Sequence, residues 1–425
     1  MIFIDFIINK LLRELSIFLG LITLAGSIFL KKSPRDSITS MIKTIVGVRI
    51  LQIGTNTLVE SSKPMVDMLI TRTGLQGRVA DVWVGVGEVL QRLNPALAGQ
   101  VGMIMIFAWI SHLLIARISK FKVIYLTMQL AYVDTVWVLW GVTVVTGWVN
   151  TPAVLLTIFL LSFYWTILPA LIRRYLKPVV GEEEITLGHN SMAGGVFAVF
   201  LAGLTGKSRS AEDLSLPGWL AMFKDNVVSY GVLMVAIYML IGVIAGPQVG
   251  AQFSNGRHYL VFSLIQGATV AAGLFVLITG VKLFLAELLP AFKGFAEKIV
   301  PGAVPAVDAP IFIAYRPQSA LLGFASTLVG MAVGILIQVG VGIGQITIPS
   351  IIPIFFSGSL FGVMADAHSG WRGVLLSCFI LGIVFIIGTS LYAQLTDMRV
   401  AAAGNMDYVL IWLPLFAAYR IFFRG

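Results

Sequence analysis

Charge is what this chain has least of. Of 425 residues only 12% are Asp, Glu, Lys or Arg, while 58% are hydrophobic; a soluble domain carries about 25% charged residues. That excludes a soluble globular enzyme, and several runs of about 20 apolar residues define a polytopic helical membrane protein. Cysteine is nearly missing as well. Cys378 stands alone, inside SCFILGIVFIIG, so it forms no internal disulfide and reads as a small core residue. With four histidines in the whole chain, no metal-ligand cluster or nucleophile–base pair occurs at usable spacing. His368 lies two positions from Asp366, too weak a pair for a metal, and no cofactor is expected. The Gly-rich VGVGIG at 339–344 follows a span rather than a strand, which excludes a nucleotide loop. A cleavable signal peptide is not expected: Asp5, Lys10, Arg13 and Glu14 are charged, and no small-residue cleavage site is clear. The net charge of +9 is assigned to cytoplasmic loops rather than to nucleic-acid binding.

What is present is a series of spans punctuated by basic clusters. A run at about 15–30 ends at Lys31, Lys32 and Arg35. A span at about 98–118 ends at Arg117, Lys120 and Lys122, and one at about 153–172 ends at Arg173, Arg174 and Lys177. All three clusters read as cytoplasmic under the positive-inside rule, which places the N-terminus outside. Further spans are expected at about 38–60, 227–246, 260–289, 319–341, 372–393 and 407–422, about ten crossings in all. Residues 61–97 are too Gly/Pro-broken for a span and suggest a re-entrant hairpin or surface helix. SLPGWLAMFKDN, 215–226, reads as an interfacial amphipathic helix.

The stretch PGAVPAVDAP, 301–310, organises the rest. No regular helix runs through Pro301, Pro305 and Pro310, and broken backbone at membrane depth needs protein or a wet cavity to satisfy it. An intramembrane carboxylate, Asp308, is then a functional-site candidate; a helix-capping Asp in a tight turn is the other reading. IPSIIPIFFSGSLFGVMADAHSG, 348–370, is a second broken stretch. Asp134 and Gln129 lie on the broken stretch after Lys122, where they would line the same cavity. His112 reads as a packed, hydrogen-bonded interior histidine and His258 as an interface residue. Lys282 and Glu287, five apart, do not make a favoured helical pair.

The chain also repeats itself. IVGVRILQIG (45–54) and ITGVKLFLAE (278–287) share a Gly-Val-basic-apolar-apolar pattern, with Gly47 and Gly280 233 positions apart. Each copy precedes a broken stretch with an Asp, Val79-Ala80-Asp81 and Ala306-Val307-Asp308. An odd number of crossings per half implies opposite insertion of the halves, 1–214 and 215–425. Inverted repeats with broken helices point to a secondary-type transporter core.

These features lead to a family. The stretches IKTIVGVRILQIGTNTL (42–58), TLGHN (186–190), AEDLSLPGWLAMFKDNVVS (211–229), GVKLFLAELLPAFKGFAEKIVPGAVPAVDA (280–309) and IPSIIPIFFSGSLFGVMADAHSGWR (348–372) resemble the IIC, or membrane permease, component of the ascorbate-type bacterial phosphotransferase system. The resemblance implies an inner-membrane homodimer, core and scaffold domains drawn from both halves, and elevator-like transport of the core. It also implies cytoplasmic IIB and IIA partners, with phosphorylation on a cysteine of IIB rather than on any residue of this chain. Carried over by position, it makes His189 and Asp308 site residues. Asn190 and Val133 each stand where a glutamine is expected, Gln129 where a histidine is, and Val82 and Trp83 where a threonine and a tyrosine are. Two hydrogen-bonding positions are thus valine, and each unmade bond to a buried ligand group costs about 1–3 kcal/mol. The fold class expected is an all-α polytopic membrane protein with re-entrant hairpins. The function expected is a permease for a carbohydrate or ascorbate-like sugar acid; a phosphorylation-independent transporter of the same fold is the alternative.

Overall fold

The computed structural model describes residues 14–74, 77–181, 184–214 and 226–424. The expected amphipathic helix at 215–226 falls, but for Asn226, outside the described residues. Among the described residues, seven helices are long and apolar enough to cross a membrane, and three shorter apolar helices accompany them.

Helices α1 (Leu15–Phe29) and α2 (Pro34–Thr73) come first. The Ser33 side chain accepts the Asp36 N–H, Pro34 occupies the first turn, and Gly74 closes the helix with φ 64°. Residues 61–73, expected to leave the membrane span as a hairpin or surface helix, instead extend α2 to 40 residues with Pro64 inside it. A second pair in the later chain is α9 (Asn226–Phe253) with the 41-residue α10 (Tyr259–Ile299). Helices α2 and α10 cross through glycines. A Cβ on Gly47 would lie 2.7 Å from the Phe284 nitrogen, one on Gly54 2.5 Å from that of Leu277, and one on Gly280 2.3 Å from that of Leu51. Two segments matched in sequence therefore face each other, as small residues let membrane helices do. Helices α1, α2, α9 and α10 pack chiefly on one another.

Between these pairs run β1 (Arg78–Ala80), α3 (Val82–Arg92), α4 (Pro95–Ala98), α5 (Val101–Ile118), β2 (Val123–Tyr125), α6 (Met128–Thr146), α7 (Thr151–Val180), β3 (Thr186–Leu187) and α8 (Met192–Gly203). After α10 follow β4 (Val304–Val307), α11 (Ala309–Ile313), α12 (Pro317–Val341), β5 (Thr347–Pro349), α13 (Ile351–Ser369), α14 (Trp371–Leu395), β6 (Ala401–Ala402), a π-helical turn (Tyr408–Trp412) and α15 (Leu413–Arg424).

The short strands are not part of an all-α expectation, and they have a physical cause. Where the helices break inside the membrane, no water is at hand for the freed N–H and C=O groups. The breaks satisfy one another instead, in two three-stranded parallel sheets ordered β5-β1-β6 and β2-β4-β3. Arg78–Ala80 pair with Thr347–Pro349, and Val123–Tyr125 with Val304–Ala306. Each sheet has a central strand from one part of the chain and two flanking strands from the other. Every strand leads within a few residues into a helix, so six helix starts gather at the strand ends. The first N–H groups of each start have no carbonyl partner within their own helix, which gives that region a positive partial charge and suits the carboxylates that cap three of the starts.

The basic ends of several helices meet on one side. Arg117 donates to the Ile299 carbonyl at 2.5 Å, and Lys122 to that of Arg117 at 2.6 Å. A Cβ on Gly294 would press on the Gly26 carbonyl and Leu30, which brings Lys31 and Lys32 to the same level.

Candidate functional site

Asp308 follows β4 directly and caps α11. Its Oδ1 accepts the Ala309 N–H at 2.8 Å, and its Oδ2 accepts Nε2 of Gln129 at 2.9 Å. His189, just past β3, places Nε2 4.0 Å from Oδ1. The break in β4 therefore positions the carboxylate, the start of α6 positions the amide, and the β3 exit positions the imidazole. The capping reading of Asp308 holds, and the same side chain also lines a cleft.

The polar atoms left over are informative. Gln129 Oε1, His189 Nδ1 and Thr127 Oγ1 are buried without a hydrogen-bond partner. Buried groups of this kind are rare in native proteins because each costs about 1–3 kcal/mol. Thr127, Gln129 and Asp308 line a narrow cleft with Leu126, Val307 and Ile311; its opposite wall comes from α1, α2 and α10, with Leu19, Leu51 and Phe284 among its residues.

The remaining positions carried over from the family lie differently. Asn190, fully buried, donates Nδ2 to Asp134 Oδ1 at 3.2 Å and accepts from the Asn405 amide. Val82 is buried, and its carbonyl accepts the indole N–H of Trp137 at 3.0 Å. Trp83 is 51% exposed, with its N–H 2.8 Å from Asp81 Oδ1. Val133 is wholly buried in α6. Gln129, His189 and Asp308 thus converge, whereas Asn190 serves a neighbouring polar network.

That network holds residues the sequence reading missed. Asp134 also accepts from Trp165 Nε1 at 3.1 Å and Tyr408 Oη at 2.9 Å. Asp407 accepts the N–H groups of Met192 and Ala193 and the Tyr164 hydroxyl, so it caps α8 from a distant part of the chain. The link between Asn405 and Asn190 shows only once the strands are placed. Asn190 stands three residues after the last residue of β3, and Asn405 three after the last residue of β6.

Asp81 mirrors Asp308. It follows β1, caps α3 through the N–H groups of Trp83 and Val84, and accepts the Ser350 hydroxyl at 2.9 Å from the residue after β5. His112 is interior, as expected. Its Nε2 accepts the Tyr125 N–H at 3.0 Å, which leaves Nδ1 to donate to Thr166 Oγ1 at 2.7 Å. Asp366 holds Arg316 at 2.9 Å and Ser210 at 2.5 Å, while His368 bonds the Tyr175 carbonyl, so these two side chains have separate structural partners. Glu287 bonds Ser40 and Lys43 rather than Lys282.

With this geometry in view, comparison with known proteins gives a consistent answer. The chain matches the EIIC-GAT family, described as "PTS system sugar-specific permease component", over residues 10–408. A similar curated protein is the "Ascorbate-specific PTS system EIIC component" of Mycoplasma pneumoniae, 25% identical over 450 residues, an alignment covering 94% of this chain and 68% of the relative. This chain is a multi-pass plasma-membrane protein of the phosphotransferase-system sugar-specific permease family.

Proposed function

We propose that this permease carries a small polyhydroxylated solute of the sugar-acid type, of which ascorbate is the nearest example, and holds it at Asp308, Gln129 and His189. The observation that carries this reading is the set of unsatisfied buried atoms beside Asp308: Gln129 Oε1, His189 Nδ1 and Thr127 Oγ1. An acceptor-only carboxylate next to an amide oxygen, a ring nitrogen and a hydroxyl suits a ligand that offers several hydroxyl donors. The relative's printed substrate supports the same class.

The two halves of the chain are inverted repeats that exchange strands. The supporting facts are the reciprocal composition of the two sheets, the mirrored carboxylates Asp81 and Asp308, and the facing motifs in α2 and α10. Helices α1, α2, α9 and α10 form the scaffold, and the strands with the helices they launch form the moving core. Because the Asp308 cleft lies between these groups, rigid sliding of one against the other carries the solute across as an elevator. The working unit is a homodimer. Phosphorylation falls to a separate cytoplasmic IIB protein supplied by IIA: Cys378 is fully buried and close to the Gly358 carbonyl, so it offers no accessible phosphoryl acceptor.

The test is uptake of labelled ascorbate, other sugar acids, pentoses and hexoses into cells making this chain with and without a IIB partner. Phosphorylated sugar acid inside, dependent on IIB, is the expected result. Free solute accumulating under a proton or sodium gradient, without IIB, would replace this reading with gradient-driven transport.

A further inference from the structure

Within the stretch of α10 read as a span, 260–289, the charge of Lys282 is used neither by the fold nor by the Asp308 site. Lys282 belongs to the Gly-Val-basic motif on α10, a helix apolar enough to cross the bilayer, and its side chain is exposed. Its counterpart in the first copy, Arg49, is neutralised by Glu14 at 3.6 Å and bonds Gln52. The nearest acid on α10, Glu287, is already held by Ser40 Oγ at 2.7 Å and Lys43 Nζ at 2.9 Å. Among the described residues Lys282 has no hydrogen bond or ion pair. An unpaired ammonium on a membrane helix is unfavourable against acyl chains and belongs beside water or a counter-ion.

The surroundings say which. Lys282, Leu285 and Ala286 form one wall of an open cleft of about 320 Å³, and Ile311, Ala314 and Tyr315 form the other. Ile311 also lines the cleft at Asp308, so the two spaces meet at a single side chain. The segment after Asp308 then runs to Arg316, which bonds Asp366 and the Pro178 carbonyl at the basic end of α7. Lys282 therefore lies along the way from Asp308 to the basic face.

We infer that Lys282 is an anion-attracting subsite in a water-filled vestibule joining the Asp308 site to the basic, cytoplasmic face, and that the solute or its phosphorylated product crosses this vestibule as an anion. The inference rests on the transport reading above and adds a second station, at Lys282, on the route of its anionic cargo. A compact cation on a low-dielectric wall raises the local concentration of anions, and the lysine stem can lie along Leu285 while its head stays wet.

The experiment needs no knowledge of the solute. With Cys378→Ser as background, Ala286→Cys places a thiol one helical turn from Lys282. Its reaction with membrane-impermeant anionic (sulfonatoethyl) and cationic (trimethylammonioethyl) methanethiosulfonates is timed in inside-out vesicles. The thiol is expected to react from the cytoplasmic side. The anionic-to-cationic rate ratio should fall roughly tenfold on adding Lys282→Gln, about threefold from each reagent for a unit charge one turn away in high dielectric, and recover with Lys282→Arg. An unreactive thiol would mean that this face meets lipid, and an unchanged ratio would mean that Lys282 exerts no pull; either overturns the inference. Thermal stabilisation of the unmodified chain by ascorbate, and its loss in Asp308→Asn, separately decides the reading of the Asp308 site.

Discussion

Replacing Asp308 by asparagine isolates the charge of the site from its shape. Each carboxylate oxygen accepts one protein hydrogen bond, Oδ1 from Ala309 and Oδ2 from Gln129. A carboxylate offers about four lone-pair sites, so about two remain for solute hydroxyls. Hydrogen bonds to a charged acceptor contribute about 1.5–3 kcal/mol and neutral ones about 0.5–1.5, a difference of about 1–1.5 kcal/mol for each. Two such bonds give about 2–3 kcal/mol, or about 30- to 150-fold in Kd. The fold should persist, because asparagine caps a helix as well as aspartate and its carbonyl can still accept the Ala309 N–H. Isothermal titration of wild type and Asp308→Asn with the transported sugar acid, alongside melting curves without solute, checks both statements. A Kd within about twofold of wild type would refute the assignment of Asp308 to the solute. Tighter binding would refute it in another way, since repulsion of an acidic solute by Asp308 would then outweigh its hydrogen bonds.

Two further predictions concern the frame. Gly280→Val should separate α2 from α10, because the added carbon falls 2.3 Å from the Leu51 nitrogen; overpacking of this kind costs about 1–3 kcal/mol or more and should lower the melting temperature in detergent. Gly87→Ala, with nothing within 4 Å, should leave it nearly unchanged. Glu88 tests a pH effect: burial alone would raise its carboxyl, but the N–H groups of Arg399, Ala401 and Val400, with Arg92, together hold it below the ordinary glutamate range. A lowered folded value means that this contribution is complete above the unfolded value of about 4.3 and fades as pH falls through the folded one. Protection of the amides at 399–401, after division by the intrinsic exchange rate at each pH, should therefore fall under acid, and Glu88→Gln should produce the same opening at pH 7.

The membrane class, the basic face and the importance of 301–310 were all legible in the residues. PGAVPAVDAP contains three prolines that forbid a continuous helix and one acid that is expensive at that depth, so composition alone marked the break and its candidate carboxylate. The strands were not legible. Runs such as VIY, TIP and AA are two to three residues long within apolar sequence, where periodicity cannot separate strand from helix, and their pairing joins residues more than 180 positions apart. Lys63-Pro64 suggested a break, yet α2 continues through it, because helix packing outweighs the local preference. The polar network was half visible. Asn190 was found within TLGHN, but Asn405 follows the featureless AAA, and only its equal distance from a strand end links the two. Val82 and Trp83 could be aligned with family positions, but their side-chain environments depend on how α3 packs against α6, which local sequence does not specify.

The most direct measurement is a structure of this chain in lipid nanodiscs, determined by electron cryo-microscopy with the transported sugar acid bound. The account predicts solute density in the cleft between α10 and the β4–α11 break, within hydrogen-bond distance of Asp308, Gln129 Oε1 and His189 Nδ1. Solute bound elsewhere, with those three groups satisfied by protein or water alone, would contradict it.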